Sequence, residues 1–220
     1  MNRRAIPSVV LFILRGIAAG VLYFLFLRPQ MLRWGTRLGE SQRRLPGDDL
    51  IPRPTLQTTR AIDIDAPPEA VWPWLAQLGR DKTGWYSLDI LYNNGVPSAA
   101  YLRPDLPEPQ PGMMTDQGYR IEAVEPGRML LFAVVDAPNG AGSSVDSSQL
   151  YLLERKSDGS ARLLVRLRAC SYGPGSLVRD LLYELLDFVT VTRQLQAIKQ
   201  RAETMAYLRA LPQEHEIPLA

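Results

Sequence analysis

Residues 58–79 read TTRAIDIDAPPEAVWPWLAQLG, and the change of period inside this stretch decides how the rest of the chain is read. Up to Ala66, Ala61, Asp63 and Asp65 alternate with Ile62, Ile64 and Ala66, the two-residue repeat of a strand with one buried face. Pro67 and Pro68 then suit a first helical turn, where a missing N–H costs nothing, and Glu69 complements the positive end of the helix dipole. Val71, Trp72, Leu75 and Leu78 recur at helical spacing, and Gly79 stops the run. A strand that runs directly into a helix therefore opens a folded domain near Thr58.

Downstream, GWYSLDILYNNG at 84–95 reads as a second short helix ended by Asn93, Asn94 and Gly95. Helical from Trp85, it places Trp85, Asp89 and Tyr92 on one face and Tyr86 and Ile90 on another. A proline-rich loop from Pro97 to Gly112 follows. Strand-like segments then occupy Tyr119 to Val124, Met129 to Val135, Gln149 to Arg155 and Ala161 to Ala169. Tight turns at Glu125-Pro126-Gly127-Arg128 and Ser157-Asp158-Gly159 join them into an antiparallel meander, and Gly140, Ala141, Gly142 and the serines after them read as a flexible loop. From Gly175 to about Leu211 the period returns to helical. Val178, Leu181, Leu182, Leu185, Phe188, Val189, Thr192, Leu195, Ile198, Ala202 and Met205 mark one face of it, Pro174 and Gly175 introduce it and Pro212 closes it. Asp180, Glu184 and Asp187 fall off that stripe and are expected on a solvated face. The class is α+β: a curved antiparallel sheet wrapped around a long C-terminal helix, with two short helices after the first strand. A ligand cavity is expected between sheet and helix.

Upstream lies VVLFILRGIAAGVLYFLFL at 9–27, apolar except for Arg15. Thirteen of its residues are Leu, Ile, Val or Phe, each favouring insertion by roughly 0.3–0.6 kcal/mol against about 3 kcal/mol for one central Arg. Insertion wins, and Leu27-Arg28-Pro29-Gln30 supplies no small-residue cleavage site. Five arginines from Arg28 to Arg44 follow the span and two, Arg3 and Arg4, precede it, so the folded part is expected in the cytoplasm of a single-pass membrane protein. The expected organisation is a transmembrane anchor at 1–30 contacting the membrane through 7–27, a basic, proline-containing linker at 31–57, the domain at 58–212 and a polar tail at 213–220.

Charge and composition exclude several functions. Residues 1–44 hold eight arginines and one acid, whereas 45–220 hold 17 basic and 22 acidic residues, so the domain itself is acidic and suits no nucleic acid. Cys170 is the only cysteine and His215 the only histidine, the latter in the tail LPQEHEIPLA, so neither a cysteine zinc site nor a histidine-dependent triad is expected. No metal, no cofactor and no particular protein partner is called for.

The segments IDIDAPPEAVWPWLAQLGR (62–80), GWYSLDILYNN (84–94), IEAVEPGRMLLF (121–132) and LLVRLRA (163–169) resemble the START-like or SRPBCC superfamily, in its bacterial polyketide-cyclase-like branch. The resemblance spans about 45–210 and implies a helix-grip fold with a deep, largely apolar pocket for a lipid, aromatic or polyketide-like ligand. It implies no single reaction. Candidate cavity residues are Trp85, Tyr86, Asp89, Tyr119, Tyr151, Arg166, Leu181, Leu185 and Phe188. For Trp85, Tyr86 and Asp89 the alternatives are a structural corner or the mouth of the cavity. For Tyr119 and Tyr151 they are strand packing or ligand contact. Arg166 and Arg168 alternate with Val165, Leu167 and Ala169, so they either face solvent or line the cavity for an anionic group. Three functions follow: membrane-tethered binding or transfer of a small hydrophobic ligand, a cyclase or dehydratase using Asp89, Arg166 and a tyrosine, or a protein-interaction module. The shortage of catalytic side chains favours the first.

Overall fold

A computed structural model describes residues 8–138, 144–173 and 175–211. Arg3, Arg4, Pro7, the Gly140–Gly142 loop, Pro174, Pro212 and the tail with His215 lie outside them. In chain order the elements are α1 (Ser8–Leu22), a π-helical turn (Tyr23–Leu27), α2 (Arg28–Leu32), β1 (Leu56–Ile64), α3 (Pro68–Ala76) and α4 (Asp89–Tyr92). Then come β2 (Arg120–Glu125), β3 (Met129–Pro138), β4 (Ser144–Arg155), β5 (Ala161–Tyr172) and α5 (Ser176–Ala210).

The strands form one open antiparallel sheet in the order β1-β5-β4-β3-β2. The hairpins turn at Gly127 and Gly159, whose φ angles of 77° and 83° are readily adopted by glycine. The inner face carries Leu130, Phe132, Tyr151, Leu153, Leu163 and Val165, and these pack with α3 (Val71, Trp74, Leu75) and with Val191, Leu195, Ile198 and Ala202 of α5 in one core. This is the helix-grip arrangement: a five-stranded sheet holding the long C-terminal helix. α3 fills the space beside α5, and both Trp72 and Trp74 are buried.

The outer face of the sheet is not solvated. Residues 35–52, expected as a linker, lie along it as a strap. Leu45 packs on Ala61, Leu131, Leu150, Leu152 and Leu164 in a second apolar cluster. The strap is fixed by a row of arginines on β5. Arg162 reaches Glu40 (2.6 Å to each carboxylate oxygen) and the Gly35 carbonyl (2.8 Å), while Arg168 donates to the carbonyls of Ile51 (2.9 Å) and Pro52 (3.3 Å). Between them, Arg166 uses all five guanidinium donors: on Thr59 Oγ1 (3.0 Å), Asp48 Oδ2 (2.8 Å) and the carbonyls of Arg43 (2.8 Å), Ser41 (2.9 Å) and Glu40 (3.2 Å). Strap residue numbers rise in step with β5 numbers, so the two run side by side in one direction.

The same segment protects a sheet edge. β1 pairs with β5 on one side only, and Trp34 offers its carbonyl to the Ala61 N–H (3.0 Å) on the other. Gly35 has φ 72°, and a Cβ there would stand 2.0 Å from the Ala61 carbonyl oxygen, so only glycine fits this approach. At the opposite edge, Ile121 of β2 exchanges backbone bonds of 2.8 Å with Gly112 and Met113.

One further departure concerns α5. Its second half follows the expected apolar stripe, but its first half is turned over. Glu184 and Asp187, expected in solvent, are 2% and 4% exposed, while Val178, Leu182 and Val189 are 63%, 62% and 51% exposed. The carboxylates are inside because cations wait for them. Arg28 pairs with Glu184 (2.9 Å), which also accepts a bond from Tyr23 Oη (3.2 Å), and fully buried Arg60 on β1 pairs with Asp187.

Candidate functional site

Where the sheet, α4 and α5 meet, they enclose a cavity of about 80 Å³. Its walls come from Trp85 and Ser87 before α4, Tyr92 at the end of α4, and Gln117 and Tyr119 before β2. Phe132, Gln149 and Tyr151 of the sheet and Tyr183, Asp187, Thr190 and Gln194 of α5 complete it. Four aromatic rings form one side: Trp85 lies edge-to-face against Tyr119 (centroids 6.2 Å) and Phe132 (5.7 Å), and Phe132 against Tyr151 (6.1 Å).

Polar groups occupy the remainder. Gln149 donates to Tyr151 Oη (2.9 Å), Tyr151 donates to Gln194 Oε1 (2.9 Å), and Gln194 Nε2 donates to the Trp85 carbonyl (2.8 Å). Ser87 bridges to the Thr190 carbonyl (2.7 Å), and the Trp85 indole N–H is taken by Gln117. Asp187 closes the wall, its Oδ2 held by Arg60 Nη1 with Thr58 Oγ1 at 3.4 Å. Arg60 is in turn anchored on the Met31 carbonyl (3.1 Å) and stacked on Phe188 at 5.6 Å. Burial raises the Asp187 pKa, and the Arg60 charge offsets this only in part. Burial likewise raises the pKa of Tyr119 and Tyr151, so both phenols remain neutral hydrogen-bonding groups near pH 7. The arrangement can bind and orient a small molecule through stacked rings and amide, hydroxyl and carboxyl groups. Among the described residues, no cluster of three or more His, Cys, Asp or Glu is arranged to hold a metal ion.

The sequence-derived candidates separate into three places. Trp85, Tyr119 and Tyr151 line the cavity. Tyr86 does not: with φ 53° it turns away, and its hydroxyl meets Gln77 Nε2 (2.6 Å) and Thr83 Oγ1 (2.8 Å) while Arg201 stacks on its ring at 4.7 Å. Asp89 belongs to the corner as well. Its Oδ1 accepts from Ser98 Oγ (2.6 Å) and from the Asn93 side-chain amide, and the helix it heads spans only Asp89–Tyr92. Arg166 is corrected outright: strand alternation puts it on the outer face beneath the strap, neither solvated nor in the cavity. Leu181, Leu185 and Phe188 are also misplaced by the expected stripe. Leu185 and Phe188 border a crevice with residues 23–42, and Leu181 a concavity with Phe24 and Arg28, because the carboxylates take the inward positions. Ser87, Gln149, Asp187, Thr190 and Gln194 were missed. Gln149 sits two residues from Tyr151 on the same strand face, a signal that the strand pattern carried.

No protein-family model matches the chain, and no curated protein matches it. Among solved structures it is similar to a protein from Mesorhizobium loti, at 16% identity and TM-score 0.42, covering 68% of this chain and 98% of that one. It is similar to a Polyketide_cyc-like protein from Corynebacterium glutamicum, at 14% identity and TM-score 0.41, covering 72% and 97%. It is also similar to the di-domain ARO/CYC StfQ from the steffimycin biosynthetic pathway, at 12% identity and TM-score 0.40, covering 74% of this chain and 54% of that one.

Proposed function

We propose that the protein is a membrane-tethered helix-grip domain that binds a compact ligand, part ring and part hydrogen-bonding group, in the cavity between sheet and α5. The observation that carries this is the convergence of the Trp85, Tyr119 and Phe132 rings with the Gln149–Tyr151–Gln194 relay and the Asp187 carboxyl around one space. Its volume of about 80 Å³ is below the roughly 300–1,000 Å³ of sites for drug-sized molecules. A long-chain lipid has no room in it. The expected hydrophobic or lipid-like ligand therefore gives way to a smaller, more polar one. The cyclase reading loses Asp89, held in its corner, and Arg166, held under the strap.

The tether is supported by the helix Val9–Leu32, long and apolar enough to cross a bilayer, and by its continuation into the fold. Its last turns are bonded to α5 through Tyr23 and Arg28, which supports a helix that continues into the domain's packing. Native mass spectrometry of the full chain, released from micelles after expression in a membrane, tests the proposal. A retained small molecule, displaced by Gln194→Leu and by Tyr151→Phe, is expected. Diacyl lipid retained equally by wild type and both variants, with nothing smaller, overturns it.

A further inference from the structure

The reversed first half of α5 leaves an apolar stripe that none of the described residues covers. Val178, Leu182, Leu186 and Val189 follow one another at intervals of four, four and three, on the side opposite Glu184 and Asp187. This stripe is continuous with the membrane helix. Phe24 and Arg28 share a concavity with Val178, Leu181 and Glu184, and Leu25, Phe26 and Leu27 share a crevice with Leu185 and Phe188. The last turns of the apolar helix and the first turns of α5 therefore run side by side in the same direction, with the start of α5 level with residues near 24. The span Val9–Leu32 has 24 residues, about 36 Å of helix at 1.5 Å per residue, against a hydrocarbon core of about 30 Å. Whatever touches Phe24 on this side also reaches Val178.

Two further features agree. The end of the sheet where β4 begins and β5 ends, Ser144 opposite Tyr172, is the end from which α5 starts, and Tyr172 and Val135 are exposed there at 48% and 70%. Glu184, the carboxylate of α5 bonded to the helix end, is paired with Arg28, so this charge enters the apolar layer together with its partner.

We propose that the first turns of α5, from Val178 to Val189, are seated in the bilayer interface beside α1, so that the domain rests on the membrane instead of hanging from a linker. This rests on the reading of residues 9–27 as a membrane span, and the test separates the two. In a Cys170→Ser background, full-length chains carrying a single cysteine in place of Phe12, Val178, Leu182, Val189 or Tyr207 are labelled with an environment-sensitive fluorophore. They are reconstituted into phosphatidylcholine vesicles containing doxyl-labelled lipid. The expected result is quenching at 178 comparable with that at 12, weaker at 182, weaker again at 189, and absent at 207, which is exposed near the far end of α5. Quenching at 12 alone, with 178 and 182 open to aqueous iodide, keeps the span and overturns the seating. Labels at 178 and 182 shielded from both quenchers mean that a protein surface, a second copy or a partner, covers the stripe, and this also overturns it. No quenching at 12 removes the span and the seating together.

Discussion

Replacing Asp187 by leucine isolates what holds α5 to the sheet at the cavity wall. Arg60 and Asp187 have side-chain exposures of 0% and 5%, and Arg60 ties three elements: its own strand β1, α5 through Asp187, and α2 through the Met31 carbonyl at 3.1 Å. Removing the carboxylate leaves a guanidinium buried without a counter-charge, a change that costs about 3–5 kcal/mol. For a domain of this size 1 kcal/mol moves Tm by roughly 2–4 °C, so D187L is expected to melt on the order of 6–20 °C below wild type. The double variant R60M/D187L removes both charges and is expected to return to within about 1 kcal/mol of wild type, because a buried pair offsets little more than its own desolvation. Intrinsic tryptophan fluorescence of the full chain in micelles follows both. The reasoning fails if D187L melts within 2 °C of wild type, a margin set by the roughly 2 °C lower bound per kcal/mol. It fails equally if the double variant loses the sum of the two single losses, since uncoupled residues would then be contributing separately.

Other consequences are as concrete. Burial pushes the Glu40 pKa up, but the hydrogen bonds from Arg162 and from the Arg37 backbone outweigh it and hold the carboxyl below its usual range. The stability Glu40 contributes is therefore present above the ordinary carboxylate pKa and lost as pH falls through the lowered value, so a Tm-against-pH series should lose part of its acid slope in E40Q. Asp187, whose pKa is raised, carries the opposite sign. Wild-type stability relative to D187N should fall as pH rises from the ordinary carboxylate range through the raised value, and a rising difference would contradict the placement. Gly35→Ala drives a Cβ onto the Ala61 carbonyl oxygen and should lift the strap, read as faster tryptic cleavage after Arg37, Arg43 and Arg44; an unchanged digest would count against the docking. Tyr151→Phe should cost about 1–3 kcal/mol by leaving a buried acceptor of Gln194 unpaired, seen as a lower urea midpoint at constant m.

How far the sequence could be read follows from the range of the forces involved. The two-residue repeat around Ile62 and Ile64, the hairpin glycines Gly127 and Gly159, and the Leu195–Ile198–Ala202 stripe are local patterns. Each points to the same sheet-and-helix arrangement, and the strand order β1-β5-β4-β3-β2 agrees with it. The strap was not legible, because segment 35–52 has no period of its own. Its position is set by Arg162, Arg166 and Arg168, more than a hundred residues later, and a row of arginines on a strand reads as solvated until something is found to cover it. Cavity residues divide along the same line. Trp85, Tyr119 and Tyr151 were identified by type, whereas Asp187 was expected in solvent and Gln194 carried no signal of its own.

The misreading of α5 carries the functional argument furthest. An apolar stripe says only that a helix face avoids water, and the usual inference that it faces the protein interior holds when the interior is the only dry place available. On the proposed membrane reading, the bilayer entered by the helix that starts at residue 9 is a second dry place. Arg28 and Arg60 supply inward partners for Glu184 and Asp187, so the helix can turn its carboxylates in and its leucines out without stranding a charge. Beyond Val191 the stripe rotates back to the core, where Leu195 and Ile198 are fully buried. The cavity lies where the two regimes meet, walled by Asp187 and Thr190 from the reversed half and by Val191 and Gln194 from the ordinary half. Part of its polarity is thus a consequence of the reversal, which brings Asp187 and Thr190 to the wall, while Gln194 adds its amide from the ordinary half.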